Sequence, residues 1–569
     1  MADALRARDA LERAAAELPT LQEQVRAGQD TSVALAEVRR SAHVAASSTR
    51  GPHWALARAL PVLGDDARAL GEVATAVEAI ADDALPRLAD AAAVASPTLL
   101  APRNGAVDLR PLEEARDDVV SADRSVARAI DAVSAIDPSS LVSPLATAVT
   151  GLREQLVEVH AQTATAARAV ELVPPMLGAD APRDYLVLVQ NNAEPRAAGG
   201  IAGSVLHVRA EDGAVRLVEV RAGSALGASA TSVVGLSGAE DALFGDDLGR
   251  FMLNVTSTPD FPRTAEVARA TWRDRTGLDV DGVLAVDPVA LGRVLAATGP
   301  VTVADPAGGE IRLSGDDASA FLLNGVYRSY PDPTVQDVVL SAVAEQVFAG
   351  LAGGGADPGR LVGALAESAR EGRLLVWSSD ADEQERLSGT VLSGELRGRI
   401  TDASGEETSP VVGVFLNATT AAKVGYYLDT TVAIDDFRCR PDGSQSFTLT
   451  VTLTSILSPD DAASLPTYVS GADGDGTIRT NLLVYAPAHG GIEGATGPDG
   501  DLGLFSQVHE GLVVGARSVA VGPGQTATFG YEVVSGKDQR GSVSVRKTPG
   551  ARPVTDTVPA SQCTEGVFS

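Results

Sequence analysis

"DYLVLVQNNAEPRAAGG", residues 184–200, decides how this chain is read. Tyr185 to Gln190 form an apolar run of the length and composition of a buried strand. The run passes straight into Asn191-Asn192, an acid, a proline, an arginine and two glycines. Asparagine side chains donate and accept hydrogen bonds and tolerate left-handed backbone. Gly199 and Gly200 let the backbone approach a neighbour closely. In open α/β sheets, the loop leaving the carboxyl end of a strand is where ligands bind. Two readings follow. Asn191, Asn192, Glu194 and Arg196 line a ligand, with Glu194 and Arg196 able to pair; or the asparagines stabilise a turn and the glycines pack beneath a neighbouring strand.

Outward from this stretch the pattern changes twice. Towards the amino terminus the chain is Ala-rich and helical in period. Leu5, Leu11, Leu18, Leu21 and Val25 recur at helix-face spacing, and breaks fall at Asp30-Thr31, Arg50-Gly51-Pro52, Ser96-Pro97, Asn104-Gly105, Pro138 and Pro144. About four to six helices fit, with "HWALARALPVLGDD" as a corner and "VPPMLG" as the end of the bundle. Towards the carboxyl terminus strands and helices alternate. "SVLHVRAEDGAVRLVEVRAG" reads as a hairpin turning at Glu211-Asp212-Gly213. "PVALGRVLAATG" reads as a helix with Pro288 at its start and Gly299 just past its end. "GRLLVWSS" and "VVGVFLNAT" read as closing strands. Beyond Thr430 the pattern is short alternating strands, "SFTLTVTLTSIL" being the clearest. The expectation is a multidomain α+β protein: a helical bundle over 1–178, a central α/β sandwich over 179–429, and an immunoglobulin-like β-sandwich over 430–569.

At 569 residues the chain exceeds one core. Hydrophobic residues at 44% and charged residues at 21% exclude wholesale disorder. A formal charge of −29 excludes a nucleic-acid partner, since no basic stripe exists to replace phosphate counterions. Lysine occurs only at Lys423, Lys537 and Lys547 while arginine is common. Lys423 therefore stands out, either as a helix-surface charge or as half of a specific ion pair. Cys439 and Cys563 are the only cysteines and lack metal-ligand or CxxC spacing. They read either as a disulfide fixing the carboxyl terminus, which favours an oxidising compartment, or as two unrelated buried thiols. No apolar run is long enough to span a membrane, and no signal peptide opens the chain, so it reads either as cytoplasmic or as following an anchor that precedes Met1.

Familiar catalytic signatures are missing: no GxSxG, HExxH, P-loop, or GxGxxG after a strand. The Asp-rich turns at Asp473/Asp475 and Asp499/Asp501 lack the downstream Glu of a calcium loop and read as solvated turns. "YRSYPDPTVQD" sets Arg328 between two tyrosines, where a guanidinium suits phosphate or carboxylate. Asp332 and Asp337 stand at the helix start that follows, and Asp337 is the expected cap.

Five ordered motifs then resemble a bacterial family known as domain of unknown function 4012: "YLVLVQNNAEPRAAGG", "NVTSTPDFPRTAEVARATW", "VDGVLAVDPVALGRVLAATGPVTV", "GVYRSYPDPTVQD" and "FLNATTAAKVGYYLD". "GPHWALARALPVLGDD" is similar to its helical leader. The resemblance implies an extracytoplasmic protein held by an amino-terminal membrane helix that precedes Met1. A second likeness, in the order of elements around "VDGVLAVDPVALGRVLAATGPVTV" and "YRSYPDPTVQD", is to LytR-CpsA-Psr domains, which transfer glycopolymers from polyprenyl-pyrophosphate carriers. By that likeness Arg196 and Arg328 would face phosphate, and Arg328 and Asp332 would be catalytic. Asp332 would also hold magnesium, and Asn191, Asn192, Glu194 and Lys423 would line the ligand. The pattern departs where that family has further arginines, since Val335, Val338 and Val339 stand there. Two functions are therefore expected from different classes: binding or transfer of lipid-linked envelope glycopolymer, or a non-catalytic scaffold that binds other envelope proteins.

Overall fold

The structure, a computed structural model, describes residues 2–26, 29–61, 63–94, 102, 105–353, 357–401, 408–559 and 563. The breaks expected at Ser96-Pro97 and Asn104 lie outside these residues. The chain divides into two compact units, one made mainly of residues up to Asp180 and the other of residues from Ala181 onward.

The first unit is helical: Ala2–Arg26, Ser32–Ser48, Pro52–Arg58, Gly64–Ala79, Leu85–Val94, Arg110–Ser134 and Ser143–Met176, with a π turn over Ile80–Ala84. Alanine fills its interior. Ala10, Ala45, Ala46 and Ala74 form one buried cluster, and Ala14, Val38, Ala42 and Ala81 the next. Single methyl groups let helix axes approach at the close end of the usual ~8–10 Å range. Trp54 is buried, and its indole N–H donates to the Ala67 carbonyl at 3.0 Å, which fixes the expected corner. Pro138 and Pro144 mark helix starts, whereas Pro174 and Pro175 lie in the final turn of the last helix. No described helix is long and apolar enough to cross a membrane.

The second unit is mixed α+β. Its first sheet contains β1 (Arg183–Asn191), β2 (Ile201–Glu211), β3 (Ala214–Ala222) and β4 (Gly282–Val286); β5 (Val301–Ala304) and β6 (Glu310–Leu313) form a separate hairpin, and β7 (Leu374–Ser378) returns to the sheet. The sheet order is β3-β2-β1-β4-β7, with only β1 and β4 parallel. Asp212 and Gly213 (φ 49° and 77°) make the left-handed turn between β2 and β3. Phe261 and Trp272, on the helix Phe261–Thr276, are fully buried in the cluster that holds Leu186, Leu188 and Val283. Aspartates punctuate this region: Asp260, Asp287, Asp332, Asp357 and Asp380 each accept a backbone N–H at a helix start, a favoured cap. The cap at "PDPTVQD" is thus Asp332, and Asp337 lies inside the helix Pro333–Ala352.

The remaining strands are β8 (Arg399–Ile400), β9 (Ser409–Ala418), β10 (Leu428–Cys439), β11 (Gln445–Ser455), β12 (Ile478–Tyr485), β13 (Gly491–Gly497), β14 (Gly500–Asp501), β15 (Phe505–His509), β16 (Leu512–Val521), β17 (Thr526–Val534) and β18 (Ser544–Lys547). They form two sheets, β10-β11-β17-β13-β14 and β15-β16-β12-β9-β18. Val432, Leu449 and Val451 of the first share a core with Val414, Leu482 and Val484 of the second. β11 alternates buried and half-buried positions along its whole length. β9, the "VVGVFLNAT" expected to close the central region, instead lies between β12 and β18. Its residues Ser409 to Asn417 are all buried, and an apolar run of that kind suits any strand covered on both faces. β9 covers the sandwich core with Val412, Val414 and Leu416, and packs Phe415 with Ala197 of the 191–200 loop.

Candidate functional site

The loop between β1 and β2 is built by its own sequence. The Asn191 side-chain oxygen accepts the Ala193 N–H at 3.0 Å and its carbonyl accepts the Glu194 N–H at 3.0 Å, which turns the chain out of the strand. Gly199 has a φ of 143°, and a Cβ there would lie 2.2 Å from the Gln190 side-chain oxygen. A Cβ on Gly200 would lie 2.2 Å from the Asn191 carbonyl oxygen. Both glycines are needed for the backbone to double back on the strand it has just left.

Every residue of the loop is buried except Arg196, which is half-buried. The Asn191 amide donates to the Tyr327 hydroxyl at 2.7 Å, and the Asn192 amide donates to the Pro549 carbonyl at 3.0 Å. Glu194 pairs with Lys423, whose ammonium also lies over the Tyr327 ring, 4.8 Å from its centroid. Glu194 therefore takes Lys423 as its partner, and the pairing with Arg196 read from sequence does not form. The Arg196 guanidinium donates to the carbonyls of Pro195 (3.0 Å) and Ala418 (3.2 Å) and to the Asn254 side-chain oxygen (3.2 Å). Burial pulls this guanidinium below its ordinary value, opposed by the charge of Glu194. Burial also pushes the Tyr327 phenol up, and the charge of Glu194 adds to the shift.

These contacts join the first sheet to the β sandwich. The Ala197 N–H donates to the Asn417 side-chain oxygen at 3.0 Å, and the Asn417 amide donates to the Ser257 carbonyl at 2.9 Å. The Thr548 hydroxyl donates to the Ala197 carbonyl at 3.1 Å and accepts the Leu416 N–H at 3.0 Å. Arg546 of β18 repeats the device: its guanidinium donates to the carbonyls of Gly394 (2.7 Å), Pro259 (3.0 Å) and Glu395, and burial lowers it to about 10.

The "YRSYPDP" segment behaves differently. Tyr327 and Tyr330 are buried, but Arg328 and Asp332 are exposed. The Asp332 carboxylate accepts the Thr334 N–H at 2.8 Å. No ion pair or side-chain hydrogen bond is recorded for Arg328 among the described residues. Asp337 is exposed on the next turn, its carboxyl pushed up by partial burial against the opposing charge of Lys423. The structure thus brings Asn191, Glu194 and Lys423 together around Tyr327. Arg196 is turned towards carbonyls, and Arg328 and Asp332 face solvent.

Asp332 belongs to no cluster of metal-binding side chains among the described residues. Among the described residues, the one such group of three is His43, Glu78 and Asp82 in the helical unit, with ligand atoms within 4.8 Å of one another. Both ring nitrogens of His43 already meet those carboxylates, and Arg39 and Arg50 neutralise them. The Asp-rich turns are turns. Asp475 accepts the Thr477 N–H and pairs with Arg479, which holds its carboxyl far below the usual range. Cys439 and Cys563 form a disulfide, with Cα atoms 5.5 Å apart. Sequence reasoning missed Tyr327, Asn417 and Thr548 as partners of the loop. Asn417 alone carried a signal, as a polar residue inside an apolar strand.

Fold and loop together define a mixed α+β protein in which a five-stranded sheet is joined to a two-sheet β region through one buried loop. Residues 180–327 match the model of a family described as "Protein of unknown function (DUF4012)". The match takes in the loop and its partner Tyr327, and stops short of Arg328. Comparison with curated proteins and with solved structures found no match.

Proposed function

We propose that this is an extracytoplasmic, membrane-tethered envelope protein acting as a non-catalytic scaffold or protein-interaction module. One observation carries the reading: Arg196, the loop residue best suited to phosphate, directs its guanidinium into the Pro195 and Ala418 carbonyls and Asn254. A pyrophosphate needs several free positive charges to offset its own. Here Glu194 engages Lys423 and backbone carbonyls engage Arg196. The disulfide supports an oxidising compartment.

The same reading takes the central α/β region (179–429) as LytR-CpsA-Psr-like in fold and the region from 430 as an immunoglobulin-like sandwich that borrows β9. A second reading, binding or transfer of polyprenyl-phosphate-linked glycopolymer with magnesium at Asp332, draws support from the exposure of Arg328. Titration of the chain and of Arg328→Ala with polyprenyl phosphate, with and without magnesium, separates the two. The scaffold reading expects no magnesium-dependent binding in either protein. Saturable binding by the parent that weakens tenfold or more in Arg328→Ala overturns it.

A further inference from the structure

The segment after β18 runs along the joint just described. Asn192 donates to its Pro549 carbonyl, and Ala551 is buried with Ala193 and Leu323. The Arg552 guanidinium donates to the Tyr426 carbonyl, pairs with Asp429 at 2.8 Å, and lies 5.3 Å from the Tyr426 ring centroid. Asp556 accepts the Val432 N–H at 2.9 Å and the Lys547 ammonium at 2.7 Å. Thr557 exchanges two backbone hydrogen bonds with the outer edge of β10, donating to Val432 at 2.9 Å and accepting from Ile434 at 3.0 Å. Beyond lies Cys563, bonded to Cys439 at the end of β10.

The contacts are of two unequal kinds. Over residues 548–559 only Thr548 and Ala551 are buried, and the positions after Ala551 alternate between half-buried and exposed. The backbone of those residues makes a single bridge to β10 rather than a ladder. A segment held by so few buried contacts opens at low free energy by itself. The disulfide changes this, because a released segment tethered at both ends rebinds intramolecularly at high effective concentration.

We infer that residues 548–559 are a disulfide-tethered latch over the 191–196 loop, and that reduction of Cys439–Cys563 opens this loop to solvent while the sandwich stays folded. In the opening step a dithiol's thiolate attacks the sulfur of Cys439, the half-buried member of the pair, and expels the Cys563 thiolate. The dithiol's second thiolate then displaces Cys439. The dithiol becomes a disulfide, and its two electrons and two protons leave Cys439 and Cys563 as thiols. Closing is the reverse, with a small-molecule or protein disulfide as the oxidant.

The test is hydrogen exchange on the full chain, oxidised and after dithiothreitol, followed at three places: 548–559, 191–196, and 449–453 of β11 as reference. The double variant Cys439→Ser/Cys563→Ser without reductant supplies a second route to the same state. The latch predicts at least tenfold faster exchange at the first two places, with the reference unchanged. Three results overturn it: no change at either place, faster exchange at 548–559 alone, or an equal rise in all three. If the double variant does not fold, the reduced parent decides.

Discussion

The 191–200 loop and the 327–332 segment looked alike in sequence, each offering an arginine and a carboxylate beside turn residues, yet they sit in the fold in opposite ways. In the loop, Glu194 is buried with Lys423 and Arg196 faces carbonyls. In the segment, the tyrosines are buried while Arg328 and Asp332 face solvent. The difference teaches that polar residues after a strand end mark a site only if nothing else in the chain needs them. Here Tyr327, Lys423, Asn254, β9 and the residues after β18 take up the polar side chains of Asn191, Asn192, Glu194 and Arg196 and the backbone of Ala197.

Breaking the inward side gives the largest effect. Glu194→Gln leaves the Lys423 charge half-buried without its partner, and loss of one member of a buried pair costs about 3–5 kcal/mol. The exposure of Lys423 puts the expected loss near ~3 kcal/mol, read as a fall in the urea midpoint at constant slope. On the outward side, Asp332→Ala removes a helix cap and costs about 1 kcal/mol by the same assay.

The pH response sharpens the contrast from a third place. His509 is buried, its Nδ1 meets the Tyr485 hydroxyl at 3.0 Å, its Nε2 has no hydrogen-bond partner among the described residues, and burial lowers its pKa below the ordinary 6.5. Because the unfolded chain then binds more protons than the folded one, stability falls as pH drops through about 6.5 and levels off below the folded value. Melting temperatures measured between pH 7.5 and 5 are expected to show this decline, and His509→Gln to flatten it. The smallest effect is Arg328→Ala, expected to change stability by less than about 0.5 kcal/mol in urea unfolding.

How far the chain could be read in advance differs by element. The helical unit, β1, the β2–β3 hairpin and the helix Pro288–Thr298 were legible because each carries its own period, cap or turn residue. β9 was not, since "VVGVFLNAT" is apolar throughout and records burial on both faces without naming the sheet. At the site, the turn-forming roles of Asn191 and the glycines were legible from local chemistry. The Glu194–Lys423 pair was not, because the partners stand 229 residues apart and only the folded chain brings them together. Asp332 and Asp337 were exchanged as caps for a smaller reason: either fits a helix start, and Pro333 in the first turn decides for Asp332.

The central claim, that the 191–200 loop is a structural joint and not an open ligand site, is tested most directly by native-state hydrogen exchange of these residues in the oxidised chain, alone and with polyprenyl phosphate and magnesium. A structural joint exchanges as slowly as β1 and does not change on adding the lipid. Fast exchange in the free protein that becomes protected on adding the lipid would contradict it.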